Sequence, residues 1–129
     1  MTYKVEVNKT KRFHYFSVFD GNGERIGWSD VEITNMPHYT FKEHCKTTED
    51  KCAEIVLVRT AKSHRKNGIA TTILNKIVEI YKNYDLFLIV SPLDMDNTIA
   101  SLTSFYEKFG FKRCESGGST PTMVRPAKL

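Results

Sequence analysis

The sequence predicts an α/β fold with a mixed central sheet and two helices, in a single domain over residues 1–129. Three observations predict this fold. The N-terminal part of the chain contains strand patterns with no helical pattern between them. Two apolar strand segments in the middle of the chain enclose a segment with isoleucines at helical spacing. A second helical pattern then ends at a glycine and precedes two short strand patterns.

The N-terminal segment is predicted to form an antiparallel meander of three strands. Residues 3–8 alternate between apolar and polar side chains, and residues 12–19 are aromatic and β-branched. The tetrapeptide Asp20–Gly23 favours a hairpin turn, because adjacent positions in it tolerate positive φ. Residues 24–33 are the returning strand. Residues 34–51 are polar and contain a proline, which predicts a long loop with at most one helical turn.

The middle of the chain is predicted to form a strand–helix–strand unit. Residues 53–59 are almost entirely apolar, which predicts a strand buried on both faces. A helix is expected over roughly 68–83, with one apolar stripe. Residues 86–90 form a second apolar strand, which we expect to run parallel to the first through a right-handed crossover.

The C-terminal part is predicted to form one more helix and a closing hairpin. The helix covers about residues 98–109, carries an aromatic stripe and ends at Gly110 in the C′ position. Residues 111–115 and 122–126 are the two strands of the hairpin.

The composition limits the classes of ligand and the compartment that we expect for this protein, but it does not identify the function. A net charge of +4 suits an anionic ligand such as a nucleotide cofactor, although it also suits nucleic acid. No apolar run approaches the ~20 residues that span a bilayer, and the N-terminus lacks the apolar core of a signal peptide. We therefore expect a cytoplasmic protein without a membrane partner.

The three cysteines, Cys45, Cys52 and Cys114, are an odd number, which fits free thiols in a reducing compartment. Together with His38 and His44, the first two of them could in principle bind zinc. Their spacing matches neither the paired cysteines nor the paired histidines of zinc sites. We therefore expect a loop with incidental histidines and cysteines, and no metal.

The stretch Arg65–Ala70 is the most informative part of the sequence. It joins an apolar strand to a helix and places Gly68 in the first helical turn. Such a junction directs several unpaired N–H groups and the positive end of the helix dipole at one spot, which suits a phosphate. The glycine would allow close backbone approach, and Arg65 would add a charge-assisted bond. Taken alone, the pattern also fits an ordinary helix start.

The second informative stretch, Phe105–Phe111, closes the last helix and begins a strand. Phe105 and Phe109 are four residues apart, so they are predicted to lie on one side of the helix as part of an aromatic core face with Phe111. Tyr106 is the one aromatic residue in this stretch with a hydroxyl that can donate a proton.

In their order and separation, Arg65–Ala70 and Phe105–Phe111 resemble the GNAT N-acetyltransferases over residues 53–115. In that family an R/Q-x-x-G-x-G/A loop binds the pyrophosphate of acetyl-CoA, and a later helix ending in a "fYekxGF" pattern contacts the cofactor. The resemblance implies a GNAT-like fold and the transfer of acetyl from acetyl-CoA to a primary amine, by direct attack in a ternary complex.

The resemblance also implies a set of site residues. Glu54 looks like the general base of the histone-acetylating branch, although an edge carboxylate is an equal alternative. The backbone N–H of Val58 would polarise the thioester carbonyl, and Tyr106 would donate to the departing CoA thiolate. The implied cofactor-binding residues are Leu57, Val58, Thr60, Arg65, Lys66, Asn67, Gly68, Ile69, Ala70, Thr71, Tyr106 and Lys108.

The sequence departs from the family in three places. Only Asn8–Lys11 lies between the first two predicted strands, where the family usually has two helices. The long loop at 34–51 stands where the family usually has a short turn, and Asn97 lies nine rather than seven residues before the tyrosine. We therefore expect an acceptor site unlike the common one.

Several readings of partner and function stay open. The acceptor could be a protein lysine, a protein N-terminus, a polyamine or a small amine, and the protein could be a monomer or a homodimer paired through edge strands. One alternative function is a catalytically weak module that binds acyl-CoA or a protein. Another is a nucleic-acid-binding protein, which is disfavoured because the aromatic residues resemble a core rather than a stacking row.

Overall fold

The structure is a computed structural model, which describes residues 3–34, 52–64, 68–90, 98–114 and 121–128. Within these residues the chain forms seven strands and two α-helices. The elements are β1 Lys4–Lys9, β2 Phe13–Phe19, β3 Arg25–Thr34, β4 Cys52–Thr60, α1 Ile69–Ile80, β5 Asp85–Ile89, α2 Ile99–Glu107, β6 Lys112–Cys114 and β7 Thr122–Arg125. In the described parts of the chain, no helix is long and apolar enough to cross a membrane.

The chain divides into two compact units. The first contains residues 1–33 and 55–80, and the second contains residues 34–54 and 81–129. The strand order is β1-β2-β3-β4 in the first unit and β5-β7-β6 in the second. The prediction that all 129 residues form one domain stays a prediction.

The predicted N-terminal meander is confirmed. β1 pairs antiparallel with β2, and β2 pairs antiparallel with β3. Only residues 10–12 join β1 to β2, and there the Thr10 hydroxyl donates to the Phe13 carbonyl at 2.9 Å. The structure therefore has no helix between its first two strands, as the sequence predicts.

The predicted hairpin turn between β2 and β3 is also present. The Asp20 carboxylate accepts from the N–H groups of Asn22 and Glu24 at 2.9 and 3.0 Å. Gly23 adopts φ 80, whereas Gly21 is not in the left-handed region. One left-handed residue is sufficient here, because the aspartate side chain closes the turn from inside.

The prediction that β4 is buried on both faces is wrong for its second half. Cys52, Ala53 and Ile55 are buried, but Val56 is 46% exposed and Arg59 is exposed. An apolar run shows that a strand can be buried, but it does not show which of its faces is covered along its whole length. β4 therefore exposes the apolar side chain of Val56 near its middle.

The helix α1 packs against β3 at Gly27. A Cβ atom built on Gly27 would lie 2.4 Å from Cγ2 of Ile69 and 3.2 Å from Cδ1 of Ile73. Both isoleucines are buried in the core. The helix ends at Ile80, three residues before the predicted end, because a turn follows in which the Tyr84 N–H bonds to the Tyr81 carbonyl.

We expect Gly27→Ala to destabilise the protein, because the added methyl group would lie inside the contact distance of Ile69. Overpacking of this kind costs about 1–3 kcal/mol of unfolding free energy. Urea unfolding measures the change. Gly21→Ala is the matched control, because nothing lies within 4 Å of its added Cβ and its φ is not positive. Equal unfolding midpoints for the two variants would contradict this account of the packing.

The second unit confirms the predicted closing hairpin and places it beside β5. β7 pairs antiparallel with both β5 and β6, so it lies between them. The helix α2 begins at a capping box, in which the hydroxyl groups of Thr98 and Ser101 each accept from the other's backbone N–H. Gly110 follows the helix with φ 93, but the cap is Lys108, so the prediction that Gly110 occupies the C′ position is wrong by one residue.

Some predictions lie outside the described residues. These are the predictions for the loop after Thr34 and for three of the four residues considered as zinc ligands. The prediction for Asn97 and the predicted end of the first hairpin strand at Glu115 also lie outside the described residues. Cys52, the fourth zinc candidate, is buried with Phe87, Cys114 and Val124 in one core cluster. No group of side chains suited to a metal ion occurs in the part of the chain that is described.

Candidate active site

The predicted anion site lies where β4 leads into α1. After β4, a 3-10 turn covers Lys62–His64, and α1 begins directly after Gly68. The Gly68 carbonyl accepts from both the N–H and the hydroxyl of Thr72 at 3.0 Å, so Gly68 occupies the cap position of the helix. Arg65, Lys66 and Asn67 lie outside the described residues.

Gly68 keeps the start of α1 open. Its φ is 79, it is exposed, and a Cβ atom added to it would meet nothing within 4 Å. The first turn of α1 carries no acidic side chain, so nothing in that turn neutralises the positive end of the dipole. The N–H groups of this turn have no partner inside the helix. The helix start can therefore accept an anion close to its backbone.

The other residues predicted to bind the cofactor at this junction differ in how exposed their side chains are. Ile69 is only 1% exposed, so its side chain belongs to the core and its backbone alone is available. Ala70 is half-buried and Thr71 is exposed. Thr60, at the end of β4, is half-buried. Among the described residues, the start of α1 therefore offers the backbone of Gly68 and Ile69 and the small side chains of Ala70 and Thr71, and their role in binding a phosphate stays a prediction.

The predicted oxyanion donor lies in β4, where Leu57 and Val58 are both half-buried. The Leu57 carbonyl accepts a hydrogen bond of 2.6 Å from the hydroxyl of Ser29 in β3. Ser29 is completely buried. The sequence patterns did not indicate this residue, because its hydrogen bond joins two positions that are 28 residues apart in the chain.

Glu54, the predicted general base, is the third residue of β4. It is half-buried and stands between Ala53 and Ile55, which are buried. Because side chains alternate along a strand, Glu54 points to the opposite face of β4 from these two neighbours. That face carries the buried Cys52 before Glu54 and the exposed Val56 after it, so Glu54 lies where the strand passes from the core to the surface.

Tyr106 lies near the C-terminal end of α2 and is half-buried. Its ring makes edge-to-face contacts with Phe105 and Phe111, with centroids 5.4 and 5.9 Å apart. Burial raises the pKa of Tyr106 to about 12. The phenol therefore keeps its proton at neutral pH and can donate a hydrogen bond. Lys108, predicted to bind the cofactor, is exposed at the end of the same helix.

The aromatic face predicted around Tyr106 is present. Phe105 and Phe109 are in contact, with ring centroids 5.2 Å apart, and both are half-buried. Phe111 is 2% exposed and is part of the core. This arrangement holds one side of the Tyr106 ring against apolar side chains.

Arg125 in β7 is a second residue that the sequence analysis missed. Its Nε donates to the Phe109 carbonyl at 2.9 Å, and a Cβ on Gly110 would lie 3.3 Å from that nitrogen. The guanidinium is buried, its NH1 has no hydrogen-bond partner among the described residues, and burial lowers its pKa. A cation at this place stabilises the carbonyl end of α2, the helix that carries Tyr106.

Solved structures resemble the fold of this chain. They include the histone acetyltransferase HPA2 and related acetyltransferase from Corynebacterium glutamicum, with TM-score 0.69 and 16% identity, covering 92% of this chain and 67% of that one. The PaiA N-acetyltransferase from Thermoplasma acidophilum, in complex with coenzyme A, has TM-score 0.61 and 20% identity over 88% of this chain and 60% of that one. NAA60 from Arabidopsis thaliana, in complex with a bisubstrate analogue, has TM-score 0.63 and 14% identity, and the match covers 88% of this chain and 74% of that one.

The TM-scores establish similarity of fold, and this similarity confirms the predicted GNAT-like α/β fold. The chain spans 67% of the length of the first relative and 60% of the second. Comparison with curated proteins found no match. The sequence model of the acetyltransferase (GNAT) family matches residues 3–111, which is most of the chain. The chain therefore belongs to the GNAT acetyltransferase family.

Proposed function

We propose that this protein transfers acetyl from acetyl-CoA to a primary amine, by direct attack within a ternary complex. The observation that carries the proposal is the start of α1, the helix that follows β4 in the chain, where Gly68 leaves an open, positively polarised backbone site. Family membership supports this use of the site, and a relative of the same fold is a complex with coenzyme A.

Binding of acetyl-CoA is proposed to use the two ends of the junction between β4 and α1. The N–H groups of the first turn of α1, together with Arg65, would hold the pyrophosphate. The exposed apolar surface at Val56, with the backbone of Leu57 and Val58, would lie along the pantetheine arm. This use would explain why the apolar side chain of Val56 is left exposed.

Glu54 is proposed to assist deprotonation of the acceptor. A lysine-like amine with a pKa near 10.4 is mostly protonated at neutral pH, and deprotonating it costs about 4–5 kcal/mol. Glu54 would accept that proton directly or through water. The amine nitrogen then attacks the thioester carbonyl carbon, and the N–H of Val58 donates to the oxygen that becomes negative.

Tyr106 is proposed to donate a hydrogen bond to the sulfur when the carbon–sulfur bond breaks. Because burial raises its pKa to about 12, whereas a thiol titrates near 8.5, full transfer of the phenol proton would cost about 5 kcal/mol. The proton therefore stays on Tyr106 while the hydrogen bond stabilises the thiolate.

We expect Tyr106→Phe to lower kcat by about 10- to 100-fold, because one hydrogen bond to a charged sulfur is lost. In the wild-type protein kcat should rise with pH as the amine loses its proton. Tyr106 should cause no fall in kcat below about pH 11, because its raised pKa keeps it protonated there. Rate profiles between about pH 6 and pH 10 test both statements. The control is Tyr15→Phe, at an exposed site in β2. A descending limb near pH 9 that Tyr106→Phe removes would contradict the proposal.

The acceptor is proposed to be a protein or small molecule with a primary amine, and the protein is proposed to act in the cytoplasm as a monomer or homodimer. The bisubstrate analogue in the NAA60 complex supports a mechanism in which both substrates are bound together. Release of free CoA thiol in the presence of lysine peptides, peptides with free N-termini and polyamines tests the function. Tight binding of acetyl-CoA without turnover on any of these amines would favour the alternative of a catalytically weak acyl-CoA-binding module.

A further inference from the structure

The Ser29 side chain makes a hydrogen bond to the backbone of the neighbouring strand. It donates to the Leu57 carbonyl at 2.6 Å, across from β3 to β4, and no part of Ser29 is exposed. Carbonyl groups in a sheet usually accept from backbone N–H groups of the neighbouring strand. A buried side-chain donor with one defined acceptor holds that acceptor in a fixed direction.

The direction of Leu57 C=O determines that of the N–H of Val58, because the two groups belong to one peptide unit. That unit is planar and trans, since the described residues contain no cis peptide bond. In a trans unit the C=O and N–H bonds point in opposite directions. The hydrogen bond from Ser29 draws the carbonyl towards β3, and the N–H of Val58 therefore points away from β3.

The same hydrogen bond strengthens the donor. A carbonyl that accepts a hydrogen bond is more polarised, and this strengthens a hydrogen bond donated by the N–H of the same peptide unit by about 10–30%. Preorganised donors of this kind need no reorientation when charge develops on a substrate oxygen. Ser29 thus both aims and polarises the group proposed as oxyanion donor.

The backbone around Ser29 is fixed by packing. Gly27 is buried against α1, and Val31, two residues after Ser29 on the same face of β3, is also buried. Beyond the end of β4, the N–H of Ala61 donates to the Ile26 carbonyl at 2.8 Å. The peptide unit of Leu57 and Val58 is therefore held by β3 from one side.

We propose that Ser29 is a positioning residue for acyl transfer, which orients and polarises the Val58 N–H towards the thioester oxygen through the Leu57 carbonyl. The proposal rests on the proposed function, because it requires that acetyl-CoA binds with its carbonyl at Val58.

The first test needs no substrate. We expect Ser29→Ala to change the 13C shift of the Leu57 carbonyl and the 15N shift of Val58 in the NMR spectrum of the free protein, because the carbonyl loses its donor. Ser17→Ala is the matched control, since Ser17 is a half-buried serine in the neighbouring strand β2. Ser29→Cys keeps a side chain of similar size with a weaker donor and should give intermediate shifts. Unchanged shifts in folded Ser29 variants would overturn the proposal.

The second test is specific for the oxyanion role. Infrared difference spectra with acetyl-CoA labelled by 13C at the carbonyl measure the polarisation of the bound thioester. We expect the wild-type protein to lower the carbonyl stretching frequency, and Ser29→Ala to move it back towards the value of free acetyl-CoA. We also expect kcat to fall by about 10-fold with little change in KM for acetyl-CoA, less than the ~10²–10³ lost when a donor is removed.

The outcomes separate this inference from the proposed function. Binding of acetyl-CoA with the same carbonyl frequency in wild type and Ser29→Ala would overturn the role of Ser29 and leave acetyl transfer intact. Equal losses of kcat and of acetyl-CoA affinity would show a merely structural role and would also overturn it. Absence of acetyl-CoA binding to the wild-type protein would contradict the proposed function, and the role of Ser29 in it.

Discussion

Gly68→Glu should raise the dissociation constant for acetyl-CoA by about 100-fold. The glutamate would place a carboxylate at the start of α1, where Gly68 now leaves open space and the helix start is positively polarised. It would repel the pyrophosphate and cover the N–H groups that would bind it. Losing two charge-assisted hydrogen bonds of about 1.5 kcal/mol each corresponds to about 100-fold in the dissociation constant. Isothermal titration with acetyl-CoA measures the loss.

The protein offers a matched control for this substitution at Gly23. Gly23 has φ 80, close to the φ 79 of Gly68, and an added Cβ meets nothing within 4 Å at either position. Gly23→Glu therefore introduces the same charge and similar backbone strain of about 1–3 kcal/mol in the turn between β2 and β3. We expect Gly23→Glu to bind acetyl-CoA like the wild-type protein. Equal affinities for both variants would show that Gly68 is not at the pyrophosphate site.

Glu54→Gln should lower kcat by about 10²–10⁴-fold at neutral pH, because the acceptor amine then loses its general base. The loss should shrink as pH rises, since a growing fraction of the amine is already deprotonated. KM for acetyl-CoA should change little. Initial rates between about pH 7 and pH 10 measure the effect.

A structural role for Glu54 predicts a different pattern. If its carboxylate serves as a pairing partner at the edge of the site, Glu54→Gln should lower the free energy of unfolding and leave the pH profile unchanged. Glu79→Gln, at an exposed position of α1, provides the baseline for removal of a glutamate charge. Full turnover with an unchanged profile in Glu54→Gln would exclude Glu54 as the base.

The elements that were predictable are those with a strong local signal. The period of two in β1, the turn chemistry of Asp20 and the isoleucine spacing of α1 each act within a few residues, and all three are present. The burial of β4 was not predictable in full, because coverage of a strand depends on other elements that its own composition does not encode. The early end of α1 at Ile80 shows the same limit for helix boundaries.

At the site, the sequence alone was sufficient to select candidate residues whose residue type and spacing match a known motif. Gly68 and Tyr106 belong to this group, although their roles stay predictions. Ser29 and Arg125 could not be found in this way, because each acts on a backbone carbonyl far away in sequence, at Leu57 and Phe109 respectively. Such contacts depend on strand pairing and helix placement, which appear only in the folded chain.

The most direct test of the proposed acetyl transfer is to incubate the protein with 13C-acetyl-labelled acetyl-CoA and a mixed panel of amines. Mass spectrometry then identifies any labelled amide, while a thiol reagent measures free CoA. The account predicts a labelled amide on at least one class of primary amine, formed in proportion to the free CoA and lost in Gly68→Glu but not in Gly23→Glu. Binding of acetyl-CoA with no labelled product on lysine peptides, free N-termini or polyamines would contradict it.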